Sequence, residues 1–231
     1  MPQRFRLDRL NPIPYLCLLA ACVGGQPGQP APALPPVAAA DAAGWAAATV
    51  PAGLRVTRFR WLFKDGQASV GGHGSARVAG PDSLRFDIAG PFGIGGAAAM
   101  VVGNQAIWVQ PPDIIARLIP SYPLMWAMFG VMRPAPPGAR SRGLREGGRI
   151  RLEWVQGADT VRYLLEPAEL RAEWQRAGTT MGVVETRLDA GGRPVSARLT
   201  VPSAPARLDL TIVADSVVSA FPPGVWVAPG P

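Results

Sequence analysis

The chain has 231 residues, 48% of them hydrophobic, and a formal net charge of +7. Such a length and apolar share exclude a disordered chain and allow one domain that buries about 70% of its unfolded surface. One histidine, His73, and two cysteines, Cys17 and Cys22, both near the N-terminus, leave no zinc cluster, no Cys/His nucleophile pair and no disulfide framework for the folded part.

Lys64 is the only lysine, so the basic charge is almost all arginine. Arg55, Arg58, Arg60, Arg77, Arg85, Arg149, Arg151 and Arg198 are spread along the chain, which describes solvated strand faces and not a nucleic-acid-binding stripe. Attraction to an anionic membrane or an acidic partner stays open. The 27 Gly and 26 Pro exceed the usual shares of about 7% and 5%, and they predict many turns.

In chain order, "MPQRFRLDRLNPIPYLCLLAAC" carries Arg4, Arg6 and Arg9, then a short apolar run, then Leu19-Ala20-Ala21-Cys22. This reads as a bacterial lipoprotein signal peptide over residues 1–21, with Cys22 as the lipidated new N-terminus. The small residues before the cysteine fit a peptidase cleft. An ordinary secretory signal is the alternative, since Pro12 and Pro14 interrupt the apolar run. Acyl chains contribute about 0.8 kcal/mol per buried methylene, so a multiply acylated cysteine anchors without a membrane helix. By similarity to sorted lipoproteins, Val23 in place of an aspartate implies the periplasmic face of the outer membrane.

Residues 22–36, the cysteine and a Pro/Gly-rich stretch, read as a tether, and 37–231 as the domain. "VAAADAAGWAAATV" predicts a short helix with Trp45 packed on the domain. From Arg55 to Lys64, Thr57, Phe59, Trp61 and Phe63 alternate with Arg58, Arg60 and Lys64, the period of a half-buried strand. "SLRFDI", with Leu84 and Phe86, repeats the pattern, as do "RIRLEW", "VRYLL", "VSARLTV" and "ARLDLTIVA". "PAELRAEWQRAG" suits helix or strand, and its strand neighbours favour strand. The connectors "KDGQ", "AGPD", "VGNQ", "QGAD" and "DAGGRP" are turn formers. The fold class is therefore mainly β, an antiparallel meander with one apolar face.

"PPDIIARLIPSYPLMWAMFGVMRPAPPG" interrupts the meander. Asp113 can cap a short helix through Leu118, and Leu124 to Met132 read as a helix apolar nearly all round. At this length it is too short for a bilayer, which needs about 20 residues. It must lie buried on the concave face of the sheet, either as an ordinary core helix or as the wall of a cavity. In the second case Leu124, Met125, Trp126, Met128, Phe129 and Met132 line a hydrophobic cavity with Phe59, Trp61, Leu84 and Phe86, and the methionines adapt to variable ligands.

No catalytic constellation appears. His73 and Ser75 sit in "GGHGSA", which a glycine-rich turn explains. "GIGGAA" lacks the following helix of a dinucleotide loop. Asp87, Glu153 and Glu169 alternate with arginines, as solvated cross-strand pairs do. The reading is of a non-enzyme with no cofactor and no metal.

"FDIAGPFGIGGAAAMVV" and "IARLIPSYPLMWAMFGV" resemble, in order and approximate spacing, two motifs of the LolA/LolB-like lipoprotein-carrier superfamily, and within it the outer-membrane receptor branch. The resemblance covers roughly 45–218 and is strongest at 82–132. It implies an unclosed antiparallel half-barrel with short apolar helices over the concave face, holding the acyl chains of lipoproteins received from a periplasmic carrier. It also implies a role for the turn Pro91, Phe92, Gly93, where an apolar residue protrudes and helps deliver cargo to the membrane. The alternative for Phe92 is a ring folded back over the barrel rim. Two features depart from the family: a shorter region before the first long strand, and the basic, proline-rich connector 133–148. From a different class, a structural or adaptor lipoprotein would bind a partner's apolar segment without lipid cargo.

Overall fold

The computed structural model describes residues 33–91, 95–113, 115 and 119–227. Its strands are β1 Leu54–Lys64, β2 Ser69–Ala79, β3 Ser83–Ala89, β4 Gly96–Val102, β5 Gln105–Gln110, β6 Arg140–Glu146, β7 Arg149–Gln156, β8 Asp159–Glu166, β9 Glu169–Arg176, β10 Thr179–Leu188, β11 Pro194–Val201 and β12 Ala206–Val218. All twelve form one sheet in the order β5-β4-β3-β2-β1-β12-β11-β10-β9-β8-β7-β6. Two meanders, β1–β5 and β6–β12, are thus zipped together along β1 and β12, with Leu54 opposite Val218 and Lys64 opposite Arg207. The sheet does not close, because its edges are β5 and β6. It is the expected half-barrel.

Alternation explains the strands. In β1 Thr57, Phe59, Trp61 and Phe63 are buried and Arg58 and Arg60 exposed. The ambiguous segment is a strand, β9, with Leu170, Ala172 and Trp174 buried. The "GGHGSA" stretch corrects the expectation of a turn, for it is the middle of β2. Register sets Gly74 opposite Phe59 and Gly72 opposite Trp61. A Cβ on Gly74 would stand 2.4 Å from the Phe59 ring, so the glycines make room for aromatic rings that cover the bare strand. His73 is exposed on the opposite, convex face.

The expected helix before the sheet is α1, Ala39–Ala47. Its Trp45 packs so closely on β6 that a Cβ on Gly143 would lie 2.7 Å from the indole. The last residues of the stretch read as tether also reach β6. Gly143 N–H donates to the Pro35 carbonyl at 2.9 Å, and Val37 N–H to the Ser141 carbonyl at 3.2 Å.

Residues 111–139 connect one sheet edge to the other. Pro112 and Asp113 are both helical, so Asp113 sits inside that turn and does not cap it, and Leu118 lies outside the described residues. The helix expected over Leu124–Met132 is shorter and starts earlier: α2 is Tyr122–Ala127. Gly130, at φ 78°, stops it. Gly130 N–H donates to Ala127 O at 2.9 Å and Val131 N–H to Trp126 O at 3.2 Å, the paired bonds of a glycine-terminated helix end. Buried, non-helical chain then runs through Val131, Met132 and Arg133 into β6. The connector 133–148 therefore contains an edge strand that alternation did not reveal.

Candidate functional site

The antiparallel order gives the half-barrel two ends. At one lie the turns β1–β2, β3–β4, β7–β8, β9–β10 and β11–β12; at the other lie β2–β3, β4–β5, β6–β7, β8–β9 and β10–β11. We call them the near and far ends. The β3–β4 loop is at the near end, where Gly90 N–H closes its base on the Gly95 carbonyl at 3.0 Å. Pro91 there is exposed, whereas Phe92, Gly93 and the lipidation candidate Cys22 lie outside the described residues.

The structure brings the candidate cavity residues together. Phe59, Trp61, Leu84, Phe86, Leu124, Met125, Trp126, Met128, Phe129 and Met132 all belong to one buried cluster, with Trp61 the most exposed at 8%. Phe59 and Phe86 stack at 5.5 Å between centroids, and Phe129, from the turn after α2, meets them at 5.9 and 6.1 Å. The insert thus fills the concave face with its own side chains. It sits close to the sheet, since a Cβ on Gly182 would be 2.7 Å from Leu124.

Polar bonds latch the insert at or toward the far end. Trp126 Nε1 donates to the Gly103 carbonyl at 2.8 Å, and Thr186 Oγ1 to the Ala127 carbonyl at 2.7 Å. The Arg133 guanidinium stacks over Trp126 at 4.7 Å and donates to the Pro81 carbonyl at 3.1 Å. Met132 N–H donates to Thr49 Oγ1 at 2.8 Å, and Arg133 N–H to the Tyr163 hydroxyl at 3.3 Å. Burial pushes the Tyr163 hydroxyl well above the usual tyrosine range. Burial also lowers Arg133, opposed by the nearby Tyr163 and Asp82.

A pocket of about 420 Å³ opens at the far end. Phe129, Val78 and Leu188 supply its apolar lining, and Arg55, Thr57 and Asp215 its polar wall. Arg55 grips Asp215 through both Nε, at 3.2 Å, and Nη2, while Thr57 Oγ1 donates to Asp215 Oδ1 at 2.9 Å. The two charged side chains are only 12% and 11% exposed. At the rim, the backbone N–H of Arg193, 2.9 Å from Asp189 Oδ1, leads in holding that carboxyl below its usual range. Of the residues that line this pocket, the sequence pointed to Phe129 and to none of the polar wall.

On the convex face, Arg77 meets Asp87 at 2.6 Å and Arg162 meets Glu153 at 2.6 Å, while Glu169 pairs in register with Arg187. These are the expected cross-strand pairs. Among the described residues no group of three or more His, Cys, Asp or Glu side chains is placed to hold a metal, and no helix is long and apolar enough to cross a membrane.

This open sheet, with its insert across the concave face, is an unclosed half-barrel whose fold is similar to that of LolA-superfamily structures. The LolA superfamily protein NE2245 from Nitrosomonas europaea is similar over 83% of this chain and 98% of its own, with a TM-score of 0.54 and 14% identity. A domain from Vibrio parahaemolyticus, described as an outer membrane lipoprotein-sorting protein domain, is similar over 81% of this chain and 95% of its own, with a TM-score of 0.53 and 10% identity. At such identities the likeness is one of fold, and neither description names the receptor branch. No protein-family model and no curated protein matches the sequence.

Proposed function

We propose that this protein is a lipid-anchored receptor of the LolB type, which takes the acyl chains of lipoproteins, or similar lipids, from a periplasmic carrier and delivers them to the outer membrane. The observation that carries this reading is the apolar concave face of an unclosed sheet, covered by one insert tied to both free edges. Cargo enters by displacing that insert. Releasing the Trp126, Thr186 and Arg133 latches costs about 1 kcal/mol per neutral bond and about 1.5–3 kcal/mol for the guanidinium bond, so burying about six methylenes at about 0.8 kcal/mol each offsets it. No nucleotide is needed. Unbranched Met125, Met128 and Met132 re-pack around chains of different length more easily than β-branched residues do.

Cys22, freed by removal of residues 1–21, keeps the domain at the bilayer. The 12 steps from Cys22 to Leu34 reach about 40 Å at most. The 11 residues of β1 span about 36 Å, so the anchor permits the near end to face the membrane. Phe92, between Pro91 and Gly93 at that end, then touches the acyl boundary.

The test is native mass spectrometry of the chain with Cys22→Ser, incubated with an acylated lipoprotein on a periplasmic carrier. A stoichiometric adduct, lost in Phe129→Glu, is expected. Phe92→Glu should load normally and fail in transfer to vesicles. A folded protein that takes neither the lipoprotein nor a fatty-acid probe would instead be a structural or adaptor lipoprotein, the reading that the filled interior favours.

A further inference from the structure

We propose that the far-end pocket recognises the neutral linkage of an acylated ligand, an ester or amide carbonyl, through the Arg55–Asp215 pair. This rests on the lipid-carrier reading above. The pair is an anomaly on its face. In β12 the inward positions Ala206, Leu208 and Leu210 are buried and apolar, and regular alternation would turn Asp215 outward. A bulge prevents that. Phe59 pairs with Ile212 and Arg58 with Ala214, so Val213 is the extra residue and Asp215 comes to face Thr57 and the pocket. Bulges re-aim side chains in this way beside functional sites.

The donor and acceptor count points to the ligand. A guanidinium has five N–H groups. Arg55 gives two of them to Asp215, and among the described residues no other protein acceptor takes the rest. Among the described residues none of these N–H groups is a buried atom without a partner, so they open onto the pocket, and a carbonyl oxygen seated there takes the place of water as their acceptor. Charge then selects the kind of carbonyl. Asp215 already neutralises Arg55, the neighbouring Glu166 is paired with Arg149 at 2.7 Å, and the other cation of the lining, Arg193, lies beside the Asp189 carboxylate. A carboxylate therefore meets a neutral pair with an anion at its centre and gains little for its desolvation, whereas an ester or amide loses little on entry. Below the pair, Phe129 leads to the Phe59 and Phe86 rings, which gives the attached chain an apolar path inward.

The experiment measures dissociation constants of 1-monopalmitoylglycerol and palmitate for the full chain with Cys22→Ser, at neutral pH and below micelle concentrations. The expected result is a preference of tenfold or more for the ester. Asp215→Asn, which leaves Arg55 its net charge, should shift the ratio at least tenfold toward palmitate. The double variant Arg55→Met, Asp215→Leu replaces the pair by apolar groups of similar size, and it should lose the discrimination while keeping the fold by circular dichroism. Equal binding of the two probes by the parent chain, or a folded double variant with the parent's ratio, overturns the assignment and leaves the carrier reading standing. Binding of neither probe overturns both.

Discussion

A Cβ on Gly72 would stand 2.0 Å from the Ala89 carbonyl oxygen and 3.0 Å from Trp61 Nε1. The first of these is backbone and cannot turn away, so Gly72→Ala must push β2 and β3 apart. We expect a loss of about 1–3 kcal/mol in urea unfolding, the range for overpacking with backbone displacement. Gly44, inside α1, is the contrast. Nothing lies within 4 Å of its Cβ position, so Gly44→Ala should stabilise the protein by about 0.5–1 kcal/mol through helix propensity. Equal effects of the two changes would show that the glycines of β2 are not there for close approach. That role was not legible: the glycines of "GGHGSA" suggested a turn, because the register that sets Phe59 on Gly74 is a tertiary fact. Arg55, read with the other arginines as part of a solvated strand face, instead shares the parity of Thr57 and Phe59 and lies inward, 12% exposed. Asp215 does not read as inward, because the extra residue Val213 has no signature in the sequence.

The insert shows the same division at the scale of an element. Its burial follows from composition, since a segment apolar on every side cannot face water. Its helix length does not, and the glycine in "MFGVM" was the available stop signal. The edge strand β6 escaped notice because "RSRGLRE" has charges on both faces and buries only Gly143, which has no side chain. What holds the insert is more specific than apolar contact. Trp126→Phe keeps most of the buried ring and removes the bond to the Gly103 carbonyl, with an expected cost of about 1–2 kcal/mol. Under the proposed carrier function cargo breaks that bond to enter, so the variant should load acylated ligand faster than the parent in stopped-flow measurements. A variant that is less stable yet loads at the parental rate would mean that the insert does not move during entry.

For the molecule as a whole, one contiguous buried cluster joins α1, the insert and both meanders, so unfolding should be a single cooperative transition. Its pH dependence exposes the group at the centre of that junction. Tyr163 is 2% exposed, and burial raises its pKa in the native state. In the unfolded chain a tyrosine titrates near pH 10. Below that value both states hold the proton, and the contribution of Tyr163 to stability is fully present. Above it the unfolded chain releases the proton while the native protein keeps it, so stability falls by up to about 1.4 kcal/mol per pH unit, until the native hydroxyl also ionises. Tyr163→Phe removes this dependence, and at pH 8 it should cost about 1 kcal/mol through the lost acceptor for the Arg133 N–H. Urea midpoints of the two proteins should therefore converge from about pH 10 upward. Tyr122, whose pKa burial also raises, is present in both chains and cancels from the comparison. A gap that stays constant to pH 11 would mean that water reaches Tyr163, and with it the seam between the insert and the sheet.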